Sequence, residues 1–143
     1  MKKTLKQVSI VLLALLLSVL LIACNGAEKA GLWEVATYTK DTELGEGGKT
    51  IAVEVKAEEQ SITFTIHTDA ETLGDALDEH NLVGGTEGAF GLMIDTVNGM
   101  TVKFEDGGYW WGIYKDGVTA ESGIDGIVIE DGAHYEFVRT NTY

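Results

Sequence analysis

The chain has 143 residues, ten Lys and Arg against 23 Asp and Glu, 18 glycines, no proline and one cysteine. The length fits one modest domain, and a net charge of −13 argues against nucleic-acid binding, which needs clustered basic side chains to displace counterions. A single cysteine excludes an internal disulfide and a multi-cysteine zinc site.

The N-terminus begins Met1-Lys2-Lys3-Thr4-Leu5-Lys6, and residues 8–23 are apolar except for Ser9 and Ser18. A positive start followed by a short apolar run reads as a secretory signal. Its length falls short of the roughly 20 residues that span a bilayer comfortably. Leu21-Ile22-Ala23-Cys24 resembles a bacterial lipobox, in which the cysteine sulfur receives a diacylglyceryl group and the preceding peptide bond is cut. Two acyl chains hold a protein on a bilayer, whereas one does so only marginally. The expectation is therefore a signal peptide over residues 1–23, lipidation at Cys24, a short tether over 24–31 and a domain over 32–143. The mature domain would sit on the extracytoplasmic face of the cell membrane through its lipid. Removing residues 1–23 takes away three lysines and leaves seven basic against 23 acidic residues. An uncleaved signal anchor, or ordinary cleavage with Cys24 incidental, is the competing arrangement.

Trp33, Val35 and Thr37 alternate with Glu34, Ala36 and Tyr38, which predicts a strand. Residues 39–49, rich in Gly and acidic side chains, read as a loop. Ile51, Val53 and Val55, then Ile62, Phe64 and Ile66, alternate with mostly polar residues across a short connection. That is a hairpin with one face in the core. Thr68-Asp69-Ala70-Glu71 fits a capping box, after which Leu73, Ala76, Leu77 and His80 give one apolar helical stripe, ended by Asn81 or Gly84-Gly85. Residues 92–97 and 100–104 flank Asn98-Gly99, a strong hairpin signal because both turn positions tolerate positive φ. Residues 109–115 form a further strand closed by Asp116-Gly117, and residues 127–129 pair with 134–139 around Glu130-Asp131-Gly132. One helix on a mixed sheet with extra hairpins is an α+β two-layer design, and this element order predicts a β-grasp-like arrangement.

Thr72-Leu73-Gly74-Asp75-Ala76-Leu77, residues 94–99 with their Asn-Gly turn, residues 111–114 followed by Asp116-Gly117, residues 120–124 and residues 131–137 occur in that order. Together they resemble the C-terminal, β-type domain of transcobalamin, a family found also in bacterial surface modules. The resemblance covers about residues 50–138, and departs at Asp116, where the family often has Asn. It implies a domain that closes over cobalamin held by a large helical barrel, which is missing from this chain. The matching residues are mostly fold residues, so the resemblance alone is a weak warrant for function.

In a strand, Tyr109, Trp111 and Ile113 point one way and Trp110, Gly112 and Tyr114 the other. Trp111 is the expected core residue. Gly112 is expected to leave a gap between Trp110 and Tyr114 where a flat group can lie, with Asn98 and Met100 near this surface. The other arrangement covers both faces. His67, His80 and His134 share no zinc spacing. The four Asp-Gly turns at 106, 116, 125 and 131 lack the alternating oxygen ligands of an EF-hand loop, so no resident metal or cofactor is expected. Neither a nucleophile elbow nor a phosphate-cradling glycine loop is present, and an enzyme is not expected. Two functions follow: an anchored binding protein that captures a small ligand, a corrinoid by the resemblance, for a membrane importer; or a surface module that docks another protein, without a small ligand.

Overall fold

The computed structural model describes residues 31–142. The segment carrying the signal and Cys24 lies outside the described residues. Among the described residues no helix is long and apolar enough to cross a membrane.

The alternating hairpin forms as strands β2 (Lys49–Ala57) and β3 (Gln60–Thr68), antiparallel with Val53 opposite Phe64. From Ile51 in β2 and from Ile62 in β3 every second residue is buried, as the period of two requires. Helix α1 (Leu73–Asp78) follows and buries Leu73, Ala76 and Leu77. It is capped by Thr72, whose hydroxyl accepts from the Asp75 amide, and not by Thr68. The Thr68 hydroxyl is buried, accepting from the Ala70 amide and donating to Glu79. Two Ser/Thr-x-x-acid signals lie four residues apart, and the buried turn at Thr68 pushes the helix start to the second.

Strands β4 (Val83–Gly88), β5 (Gly91–Val97) and β6 (Met100–Thr101) make a separate three-stranded antiparallel sheet. Strands β7 (Trp110–Lys115), β8 (Val118–Thr119) and β9 (His134–Thr140) join β2, β3 and β1 (Thr42–Gly45) in a six-stranded mixed sheet ordered β1-β3-β2-β9-β7-β8. β9 runs parallel to β2, with Val53 opposite Tyr135 and Val55 opposite Phe137. One face of this sheet carries Phe64, Ile66, Tyr135 and Phe137, all buried with Leu73, Leu77, Met100 and Ile124. The unit Gly31–Tyr143 thus has a core of its own and is an α+β fold of one short helix on a mixed sheet.

Three expected elements differ. Residues 33–37 form no strand: Leu32–Glu34 is a 3-10 turn, because the Trp33 indole turns inward and donates to Ala57 O at 2.9 Å. Within the expected loop 39–49, Thr42–Gly45 forms an edge strand parallel to β3, with the Asp41 carboxylate accepting from the Thr63 amide. Residues 127–129 are not a partner of β9. Their backbone pairs instead with the residues leading into α1, the Leu73 amide donating to Ile127 O and the Ile129 amide to Glu71 O.

Candidate functional site

Trp111 is buried near the start of β7, and its indole N–H donates to Asp95 O of β5 at 3.2 Å. A buried indole needs such a partner, and this bond ties the small sheet to the large one. Between the two lies a cleft of about 450 Å³ lined by residues that include Met93, Phe104, Tyr109 and Trp110. Phe104 is 61% and Met93 71% exposed. The Phe104 and Trp110 rings lie 6.3 Å apart at 42°. Phe104 stands in a 3-10 turn, Phe104–Asp106, that juts from the end of the β6 hairpin. Asp95, Lys103 and Glu105 supply the charged part of the lining.

The gap expected at Gly112 is filled from within. A Cβ placed there would lie 3.0 Å from Tyr114 Cε2 and 3.2 Å from its hydroxyl oxygen. Residues i and i+2 share a face in a strand, so the absence of a side chain at Gly112 lets its neighbour's ring fold back over the backbone. Tyr114 and Gly112 are therefore packed together, and the cleft takes only Trp110 of the proposed set.

Asn98 and Met100 do not border a surface. Both are 0% exposed. Asn98 holds φ at +51° in its turn, its Oδ1 accepts from the Tyr38 amide at 2.9 Å and its Nδ2 donates to Tyr38 O at 2.8 Å. It closes the segment after Trp33 onto the β5–β6 turn. Met100 packs in the core.

Phe104 and Met93 were not singled out by sequence reasoning. A signal existed for each: Phe104 is a large ring next to Glu105-Asp106-Gly107-Gly108, a turn that buries nothing, and Met93 falls on the polar phase of Leu92-Met93-Ile94. Three of the acidic turns serve the backbone. Asp125 accepts from the Leu92 amide at 2.9 Å, Asp131 from Thr50 at 2.7 Å and Asp116 from His134 at 3.2 Å.

On the outer face of the large sheet Lys56 Nζ stands 2.5 Å from Glu136 and 3.4 Å from Glu54, and His134 Nε2 is 3.2 Å from Glu54. The hydrogen bond to Glu136 is the main reason the Lys56 ammonium is held above its usual pKa. His67 lies apart, its ring nitrogens on Thr50 and Glu43.

A protein from Ruminococcus gnavus, provisionally described as metal binding, is similar in structure, with TM-score 0.63 and 33% identity over 67% of this chain and all of that one. The chain belongs to the same family as this Ruminococcus protein. Haptocorrin, solved in complex with Cbi, matches at TM-score 0.50 and 16% identity, over 70% of this chain and 27% of its own length. That degree of likeness shows a distantly shared fold. No protein-family model matches the chain, and no curated protein does.

Among the described residues no three His, Cys, Asp or Glu side chains converge as a metal would require. Where Glu54, Glu136 and His134 gather, the Lys56 ammonium already occupies the place of a cation.

Proposed function

We propose that this chain is an extracytoplasmic binding lipoprotein, anchored through Cys24, whose aromatic cleft takes a small ligand with a flat apolar face and hands it to a membrane importer. The observation that carries this reading is the cluster of exposed Phe104 and Met93 with half-buried Trp110 between the sheets. Exposed large apolar side chains around a concavity are a mark of binding sites. Binding rather than catalysis is the role proposed, because the exposed part of the lining includes the large apolar side chains Phe104 and Met93. A corrinoid is the first ligand to try, because haptocorrin was solved with Cbi and the order of motifs resembles the β-type domain of transcobalamin. The sheet order β3-β2-β9-β7 with its central pair parallel supports reading the fold as β-grasp-like.

Titrating cobalamin into the purified domain tests this directly. A shift of corrin absorption together with quenching of tryptophan emission is expected, both weakened by Trp110→Ala. Saturable binding that Trp110→Ala leaves unchanged moves the site elsewhere, and no binding removes the corrinoid.

A second reading, a surface module that docks another protein, has one observation in its favour. Phe90 at the tip of the β4–β5 hairpin is 100% exposed, a position where an aromatic ring contributes nothing to the fold. Phe90→Ser would then abolish partner capture while sparing the cleft.

A further inference from the structure

Every polar group of Asn98 is engaged. Its amide donates to Leu82 O at 2.7 Å and its carbonyl accepts from the Thr37 amide at 2.9 Å, while its side chain exchanges two hydrogen bonds with the Tyr38 backbone. The next residue is Gly99, with φ at +78° in the same turn. An Asn-Gly pair is chemically fragile, because no side chain on the glycine hinders its nitrogen. On losing its proton to base, that nitrogen attacks the asparagine Cγ. The Cγ–Nδ2 bond breaks, Nδ2 takes up a proton and leaves as ammonia, and a cyclic succinimide remains. Water then opens the ring to aspartate, or to isoaspartate, in which the main chain runs through the former side chain. The other asparagines of the unit, Asn81 and Asn141, precede Leu82 and Thr142, whose side chains crowd the same attack.

We infer that Asn98 is a site of spontaneous deamidation that the fold keeps closed, and that its conversion makes unfolding of this domain irreversible. The attack turns the planar carboxamide tetrahedral and carries Nδ2 off, so it breaks both bonds to Tyr38. Base must also reach a covered turn: a Cβ on Gly99 would meet Thr37 Oγ1 at 2.7 Å and Val35 O at 3.0 Å, so the segment after Trp33 lies directly against it. The reaction therefore waits for that segment to lift from the β5–β6 turn, and its rate is the open-chain rate scaled by the open fraction. Neither product fits the closed fold. Aspartate at this position sets a carboxylate oxygen against Tyr38 O, where Nδ2 had donated, and a buried charge without a partner is costly. Isoaspartate adds a main-chain carbon between Val97 and Met100, which pair across the turn. The lifetime of the domain is then a matter of rate as well as equilibrium.

The test follows the unmutated Gly31–Tyr143 unit, which omits the chain's other Asn-Gly pair at Asn25-Gly26, in warm, mildly alkaline buffer with and without guanidinium chloride. Peptide mass mapping counts the amide-to-acid change at Asn98, and an isoaspartate methyltransferase assay counts the rearranged product. Asn98 is expected to convert at least about tenfold more slowly in the folded unit, and deuterium exchange of the Tyr38 amide should be slowed over the same range, since the opening that frees one frees the other. After dilution from denaturant, the share of chains that regains native tryptophan emission should fall in step with the share converted. Gly99→Ala, measured in denaturant where no fold is needed, should slow conversion about tenfold by hindering the attacking nitrogen. Equal rates in folded and unfolded chains overturn the inference, as does a slow Asn98 beside a rapidly exchanging Tyr38 amide. Converted chains that refold to full stability would show that the turn tolerates the product, and would overturn the claim of irreversibility.

Discussion

Replacing Asn98 by alanine probes whether this residue belongs to the fold or to a binding surface. Its side chain makes two hydrogen bonds with the backbone of Tyr38, and its own carbonyl accepts from the Thr37 amide at 2.9 Å. Alanine removes both side-chain bonds and leaves the Tyr38 amide and carbonyl unmet in a closed environment. At about 1 kcal/mol each, they account for about 2 kcal/mol. Alanine must also hold φ at +51°, which costs about 1–2 kcal/mol for a residue with a Cβ and no side chain to bond locally. The Asn98→Ala variant should therefore be less stable by about 3–4 kcal/mol. Asn98→Gly loses the same two bonds without the φ penalty and should recover about 1 kcal/mol of that loss. Urea unfolding followed by tryptophan emission measures both, and an unchanged m-value shows that the comparison is between like states. If alanine and glycine destabilise equally, the φ argument is wrong. A loss below about 0.5 kcal/mol, the range of surface sites, would refute the burial of this side chain altogether.

Other perturbations separate fold from site. Trp111→Ala should cost about 3–5 kcal/mol, as large aromatic truncations in a core do, whereas Trp110→Ala should cost much less and act on ligand binding; a thermal melt and a titration on both variants check this. Leu77→Ala should destabilise by about 2–5 kcal/mol in urea unfolding, since Leu77 is buried under the sheet. The raised pKa of Lys56 means that its contribution to stability is fully present below the unfolded value of 10.5 and is lost as pH rises through the folded value. Lys56→Met should remove that alkaline loss from a stability–pH curve, by no more than about 1 kcal/mol because the side chain is 39% exposed. Cys24→Ala should leave an unprocessed precursor that incorporates no fatty acid, and equal labelling of mutant and wild type would overturn the anchor.

The hairpin, the helix and the Asn-Gly turn were legible because each is specified locally: alternation for β2 and β3, a 3.6-residue stripe for α1, two positive-φ positions at Asn98 and Gly99. What was not legible depends on partners distant in the chain. β1 is a strand because β3 offers it an edge, although Glu43, Gly45 and Glu46 have no strand pattern of their own. β4 escaped notice for a related reason. Its Gly84-Gly85 pair reads as a helix stop, yet Gly85 is required by the close approach of β5, where a Cβ would fall 2.0 Å from Met93 O. Residues 127–129 alternate too little to choose a partner, and the strand edge they found was the entry to α1. At the site, the reading of β7 identified Trp111 correctly as buried. It erred over Gly112 because which side chain fills a gap is decided by rotamer and not by residue order.

The three tryptophans show why the cleft cannot be separated from the architecture around it. Trp33 and Trp111 both satisfy their indole N–H on carbonyls, Ala57 O and Asp95 O, so both are clamps between segments far apart in sequence. Trp33 fixes the entry of the chain against the β2–β3 turn. The register that pairs Trp110 with Thr140, two residues beyond the level where β9 meets Lys56, brings Trp110 to that same end of the sheet. Trp111 then holds β5 against β7 and so sets the distance between Met93 on one wall and Trp110 on the other. A substitution at Trp111 that kept the ring but removed the N–H would loosen this spacing without opening the core. The cleft's affinity for a flat ligand should consequently fall in such a variant even where its melting temperature barely moves. A drop in stability with affinity preserved would show that the bond to Asp95 serves the core alone.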